Sequence, residues 1–74
     1  MKIEGYSFVK IGAFIKARRR QLKVTQKDLA MTSNTGLRFI SDIEKGKPTC
    51  QIGKILTVLQ TLGIKIELSV SDAK

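Results

Sequence analysis

Two helix-closing residues, Asn34 and Gly46, restrict the middle of this chain more than any other feature. A helix ends most readily on a residue that accepts φ > 0, which means glycine or, failing that, asparagine. Upstream of Asn34, Thr25 is a good N-cap, because its hydroxyl can accept a hydrogen bond from a first-turn N–H. Asp28, three residues on, imitates the acid of a capping box and suits the positive end of the helix. Gly36 then opens a further helix, Leu37–Lys45, that Gly46 ends. This part of the chain reads as helices of about eight residues at 25–32 and 37–45 joined by a four-residue turn, a helix-turn-helix. Leu29, Ala30, Ile40 and Ile43 face inward, and Ala30 is small enough to let another helix cross closely.

The flanks extend the helical pattern. From Val9 to Lys23, Ile11, Ile15 and Leu22, with Arg18 or Arg19 between them, recur at the spacing of one helix face, and Ala13, Phe14 and Ala17 widen it. Pro48 cannot continue a helix and Thr49 can cap the next. That fourth helix spans about Cys50–Leu62, with Ile52, Ile55, Leu56, Leu59 and Leu62 as a wide apolar stripe and Gly63 as its stop. The end changes period. In "IKIELSV", Ile64, Ile66, Leu68 and Val70 lie on one side and Lys65, Glu67 and Ser69 on the other, the pattern of a strand with one buried face. With no second strand evident, its simplest partner is the same strand of a second copy across a two-fold axis. Continuation of the fourth helix and pairing with residues 2–8 are the less favoured alternatives. The expected fold is mainly α: a four-to-five-helix domain with a C-terminal β-strand that pairs across a dimer. Its expected boundaries are an N-terminal arm at 1–8, the helix-turn-helix domain at 9–63, the dimerisation strand at 64–71 and a tail at 72–74.

Charge points to the partner. The 74 residues carry fourteen Lys and Arg against six Asp and Glu, a net +8 that fits a polyanion. Residues 1–31 hold eight basic and two acidic residues, a local +6, whereas 37–45 balances Arg38 and Lys45 against Asp42 and Glu44. A single cysteine, Cys50, allows no disulfide within the chain and fits a reducing compartment. No apolar run approaches the ~18 residues of a membrane span and no signal-peptide core is evident, so a cytoplasmic location is expected. With no histidine and no second cysteine, neither a Cys–His dyad nor a nitrogen/sulfur metal site is available. The carboxylates show no paired catalytic spacing and there is no phosphate-cradling glycine loop. Neither enzyme activity, nor a cofactor, nor a small-molecule ligand is expected.

The segment "IKARRRQLKVTQKDLA…NTGLRFISDIEKGKPT…ILTVLQTLGI" resembles the lambda-repressor/Cro-like (XRE) family of helix-turn-helix proteins. Ile15, Arg19, Thr25, Gln26, Leu29, Ala30, Ile40, Ser41, Glu44, Gly46, Leu62 and Gly63 match that family's ordered pattern over about residues 11–63. Asn34 stands where the family usually has a turn glycine. Within the family, "FISDIEKGKPT" followed by an alternating segment looks like HipB-type antitoxins. These repress their own operon and restrain a HipA-like serine/threonine kinase toxin. The ending "SDAK" lacks the aromatic anchor of longer HipB tails. The resemblance implies a homodimer on a palindromic double-stranded DNA operator, with a HipA-like kinase as second partner. A stand-alone phage- or plasmid-type repressor, and a kinase inhibitor that does not use DNA, are the alternatives.

In this motif the second helix lies in the major groove and its first residues meet base edges. Leu37, Arg38 and Asp42 are the expected base contacts. Arg38 is bidentate to guanine or bound to phosphate; Asp42 accepts from cytosine or, preferably, braces Arg38 one turn away. Gln26, Lys27, Ser41, Lys45 and Lys47 are the expected phosphate contacts. Arg19 shares the inward face of its helix, a buried cation needs a partner, and the family resemblance implies Glu44.

Overall fold

The computed structural model describes residues 8–48 and 51–66, which form four helices. These are α1 (Phe8–Gln21), α2 (Gln26–Thr32), α3 (Leu37–Glu44) and α4 (Ile52–Thr61). Residues 1–7 of the expected N-terminal arm, Thr49, Cys50 and the tail lie outside the described residues, while Phe8, expected in that arm, opens α1 and packs against the core.

One closing device ends every helix. The N–H of the second residue past each helix end bonds a carbonyl three back, and the next N–H bonds one five back. Thus Asn34 donates to Met31 O at 3.2 Å and Thr35 to Ala30 O at 2.9 Å. Gly46 and Lys47 close α3 on Ile43 O and Asp42 O, and Gly63 and Ile64 close α4 on Gln60 O and Leu59 O. This is the Schellman arrangement, and the residue at its pivot must take φ > 0. The pivots are Asn34 (φ 57°), Gly46 (82°), Gly63 (72°) and, for α1, Lys23 (59°). Lys23 therefore sits beyond α1 rather than in it, and Leu22 is exposed instead of continuing the inward face.

The helix starts differ among themselves. Thr25 accepts from the Asp28 N–H at 3.0 Å and its own N–H reaches Asp28 Oδ2 at 3.4 Å, a reciprocal cap on α2. Gly36 begins α3 with no side-chain cap, which leaves that helix's first N–H groups open.

The core is built from Ile15, Leu29, Ala30, Ile40, Ile43, Ile55, Val58, Leu59, Leu62 and Ile64, with Phe8, Ile11, Phe14, Val24 and Phe39 packed around it. α3 rests on both α1 and α2, and α4 packs on α2. The approach of α1 to α3 is very close. A Cβ placed on Gly12 would stand 2.1 Å from the carbonyl oxygen of Ile43, so only glycine lets the two backbones meet there.

α4 departs from the expected stripe. Ile55, Val58, Leu59 and Leu62 are buried, but Ile52 is 63% and Leu56 47% exposed. Its apolar surface is wider than the core can cover, so one edge is left facing out. No strand occurs among the described residues. Ile64, expected to begin a pairing strand, instead spends its N–H on Leu59 O and buries its side chain in its own core. Ile66 is 42% exposed. Leu68 and Val70 lie outside the described residues. Among the described residues no helix is long and apolar enough to cross a membrane.

Candidate nucleic-acid interface

The second helix of the motif, α3, is held from behind by a polar lock. At the end of α1, Arg19 donates through Nε to Glu44 Oε2 at 2.6 Å and through Nη2 to Glu44 Oε1 at 3.1 Å. Its Nη1 donates to the carbonyl of Val24 at 2.8 Å. Gln26, first residue of α2, donates through Nε2 to Glu44 Oε1 at 3.0 Å. The Glu44 carboxylate thus accepts three hydrogen bonds and ties α1, α2 and α3 together. The pair is fork-on-fork, and the Arg19 and Glu44 side chains are 11% and 3% exposed. A buried ion pair stands only when its remaining donors and acceptors are also satisfied, and here Val24 O and Gln26 satisfy them. No buried side-chain nitrogen or oxygen among the described residues lacks a partner.

The outer face of α3 is then defined by helical spacing. Ile40 and Ile43 point in; Arg38, Ser41, Asp42 and Lys45, one turn apart in pairs, share the opposite arc. Arg38 and Lys45 are exposed, Ser41 and Asp42 half-buried, and Leu37 stands out at the first turn. Among the described residues Arg38 has no ion-pair or hydrogen-bond partner. Asp42 does not brace it: its carboxylate meets Lys47 Nζ at 3.4 Å, because the turn at Gly46 folds Lys47 back over the end of α3. The neutral count of residues 37–45 therefore hides an uneven surface. Glu44 is neutralised inside by Arg19, and Asp42 is met by Lys47, leaving Arg38 and Lys45 facing outward with no ion-pair partner among the described residues.

Gln26 and Lys27 sit at the start of α2, beside this arc, with Lys27 exposed. One amide hydrogen of Gln26 is committed to Glu44, which leaves the second as a donor. Sequence reasoning missed three features. Arg18 donates through Nε to Leu62 O at 3.0 Å and so caps α4. Gly12 sets the α1–α3 distance, and its only sequence signal is a glycine inside a helical pattern. Lys54 of α4 lies over the ring of Phe39 in α3, 5.5 Å from its centroid, a pairing that no spacing announces. Among the described residues no group of His, Cys, Asp or Glu could hold a metal ion.

A buried lock behind a short helix whose solvent face carries free cations defines a helix-turn-helix module. Residues 12–68 match the family described as helix-turn-helix domain, and the chain belongs to that family, among its XRE-type members. It is 52% identical over 58 residues to an uncharacterized HTH-type transcriptional regulator, y4mF, of Sinorhizobium fredii; the match covers 78% of this chain and 76% of that protein. The restriction-modification controller protein C.Esp1396I, solved as a tetramer with its natural 35 base-pair operator, has a similar fold. Its TM-score is 0.71 at 29% identity, covering 84% of this chain and 82% of that one. A structure described as MDT Protein is similar at TM-score 0.76 and 25% identity, over 97% of this chain and 99% of that one.

Proposed function

We propose that this protein is a sequence-specific transcriptional repressor that binds double-stranded DNA as a homodimer. The observation that carries the reading is Arg38: exposed, unpaired among the described residues, and on the first turn of a helix fixed from behind by the Arg19–Glu44–Gln26 lock. An arginine so placed can grip guanine O6 and N7 with both arms of its fork. Leu37 is the apolar neighbour for a thymine methyl, and Asp42 the acceptor beside Arg38. Lys27, Lys45, Lys47, Ser41 and the free amide hydrogen of Gln26 contact the phosphates on either side of the groove. The operator-bound structure of the similar C.Esp1396I and the net charge of +8 support this assignment.

A homodimer is supported by the uncovered edge of α4. Ile52, Leu56 and Ile66 are apolar, exposed, and border a shallow groove lined by Leu56, Leu59, Gln60, Ile64 and Ile66. A two-fold pairing through that edge would cover it and present two copies of α3 to a palindromic operator. The finer reading is that of a HipB-like antitoxin whose second partner is a HipA-like kinase, supported by "FISDIEKGKPT" and the alternating segment after Gly63. Co-purification of such a kinase from the native cell tests this part.

The central reading is tested by selecting bound sequences from a random duplex library. A palindromic consensus is expected, and Arg38→Ala should lose about 1–3 kcal/mol of discrimination at one guanine per half-site. Binding that is no tighter to the selected duplex than to random DNA would refute it.

A further inference from the structure

We infer that Lys54 is an additional DNA-phosphate contact and that Phe39 positions it, an inference that rests on the DNA-binding reading above. α3 has two flanks. Glu44 looks toward α1 and α2, where the lock holds it, and Phe39, well round the helix from Glu44, looks toward α4. Phe39 is half-buried and lies three residues before Asp42 on the same helix, so its ring sits at the edge of the outer face. Lys54 crosses from α4 and sets its ammonium over that ring at 5.5 Å. A cation within about 6 Å of a ring centroid is attracted by the π face, yet the ring, being neutral, leaves its charge intact.

That distinguishes Lys54 from Lys47, whose charge is shared with Asp42 at 3.4 Å. A helix seated in the major groove has a sugar–phosphate wall on each side, and Gln26 and Lys27 belong to the α2 side. Lys54 supplies the α4 side with a cation that no carboxylate among the described residues neutralises, and its attraction to the ring lowers the entropy lost when a phosphate arrives. It also lies on the flank of α4 away from Ile52 and Leu56, so a second copy covering those residues leaves it free.

Fluorescence anisotropy on a mixed-sequence duplex of about 30 base pairs, titrated across salt, isolates this contact from base reading. Lys54→Gln should make the log–log salt slope shallower by about 0.9 per protomer, roughly eightfold in affinity at 0.1 M salt, equally on every sequence. Phe39→Leu should weaken binding, Phe39→Tyr should restore it, and Phe39→Leu should add nothing once Lys54 is Gln. Far-UV circular dichroism checks that each variant is folded. A Lys54→Gln slope equal to wild type, or an undiminished Phe39→Leu effect in its background, overturns the inference while wild-type binding keeps the DNA reading intact. Wild-type protein that shows no salt-dependent binding to the duplex overturns both.

Discussion

Replacing Gly12 by alanine sets two known effects against each other. In a helix interior alanine is favoured over glycine by roughly 1 kcal/mol, so propensity alone makes the variant more stable. The added Cβ, however, would stand 2.1 Å from Ile43 O and 3.2 Å from the carbonyl carbon and oxygen of Glu44, where ordinary contact begins at 3.4 Å. Both neighbours are backbone, so no rotamer change relieves the overlap and α3 must withdraw by over an ångström. Overpacking of this kind costs about 1–3 kcal/mol or more, and withdrawal also stretches Glu44 from Arg19. The net expectation is a loss of about 2–3 kcal/mol. In a domain whose core supplies only about 3–5 kcal/mol, that loss takes most of the margin. Urea unfolding followed by circular dichroism at fixed protein concentration measures it, since the proposed dimer would make the midpoint concentration-dependent. A variant as stable as wild type or more so would mean that α1 and α3 do not meet at Gly12.

Three further variants probe separate parts. Glu44→Ala leaves the Arg19 guanidinium buried without its carboxylate and should cost about 3–5 kcal/mol in the same unfolding assay. Lys23→Gly removes a left-handed lysine at the end of α1. The strain relieved, about 1–2 kcal/mol, exceeds the added freedom of the unfolded chain, about 0.4–1 kcal/mol. A gain of roughly 0.5–1 kcal/mol should appear as a higher melting temperature. On the proposed homodimer, Ile52→Lys with Leu56→Lys should give a monomer by sedimentation at concentrations where wild type sediments as a dimer, with the helical spectrum unchanged; a surviving dimer would exclude the outer edge of α4 from the interface.

The legible parts of the fold were those with a local chemical signature. Asn34, Gly46 and Gly63 announce their helix ends because few residue types accept φ > 0, and Thr25 with Asp28 announces a start. Lys23 makes the same turn and gives no sign of it, so the first helix read two residues too long. Apolar periodicity located α4 but could not say which part of a wide stripe the core would cover. Ile52 and Leu56 are as apolar as Ile55 and Leu59, and only the packed structure separates them. The Arg19–Glu44 contact joins residues 25 apart and has no local pattern; the family resemblance implied it. The choice of Lys47 over Arg38 as the partner of Asp42 depends on how the Gly46 turn folds back, which spacing along one helix does not contain.

The Glu44 lock separates two jobs that a single short helix must perform. Everything that fixes α3 in place comes from Ile40, Ile43 and Glu44 on its inner side and Phe39 at its flank. Leu37, Arg38, Ser41 and Lys45 have no place in the buried core. The outer positions are therefore replaceable text on a fixed line. Under the proposed DNA reading, changing them should alter which operator is read while leaving the melting curve nearly where it was, so new specificities would be reachable from this scaffold without first repairing its stability.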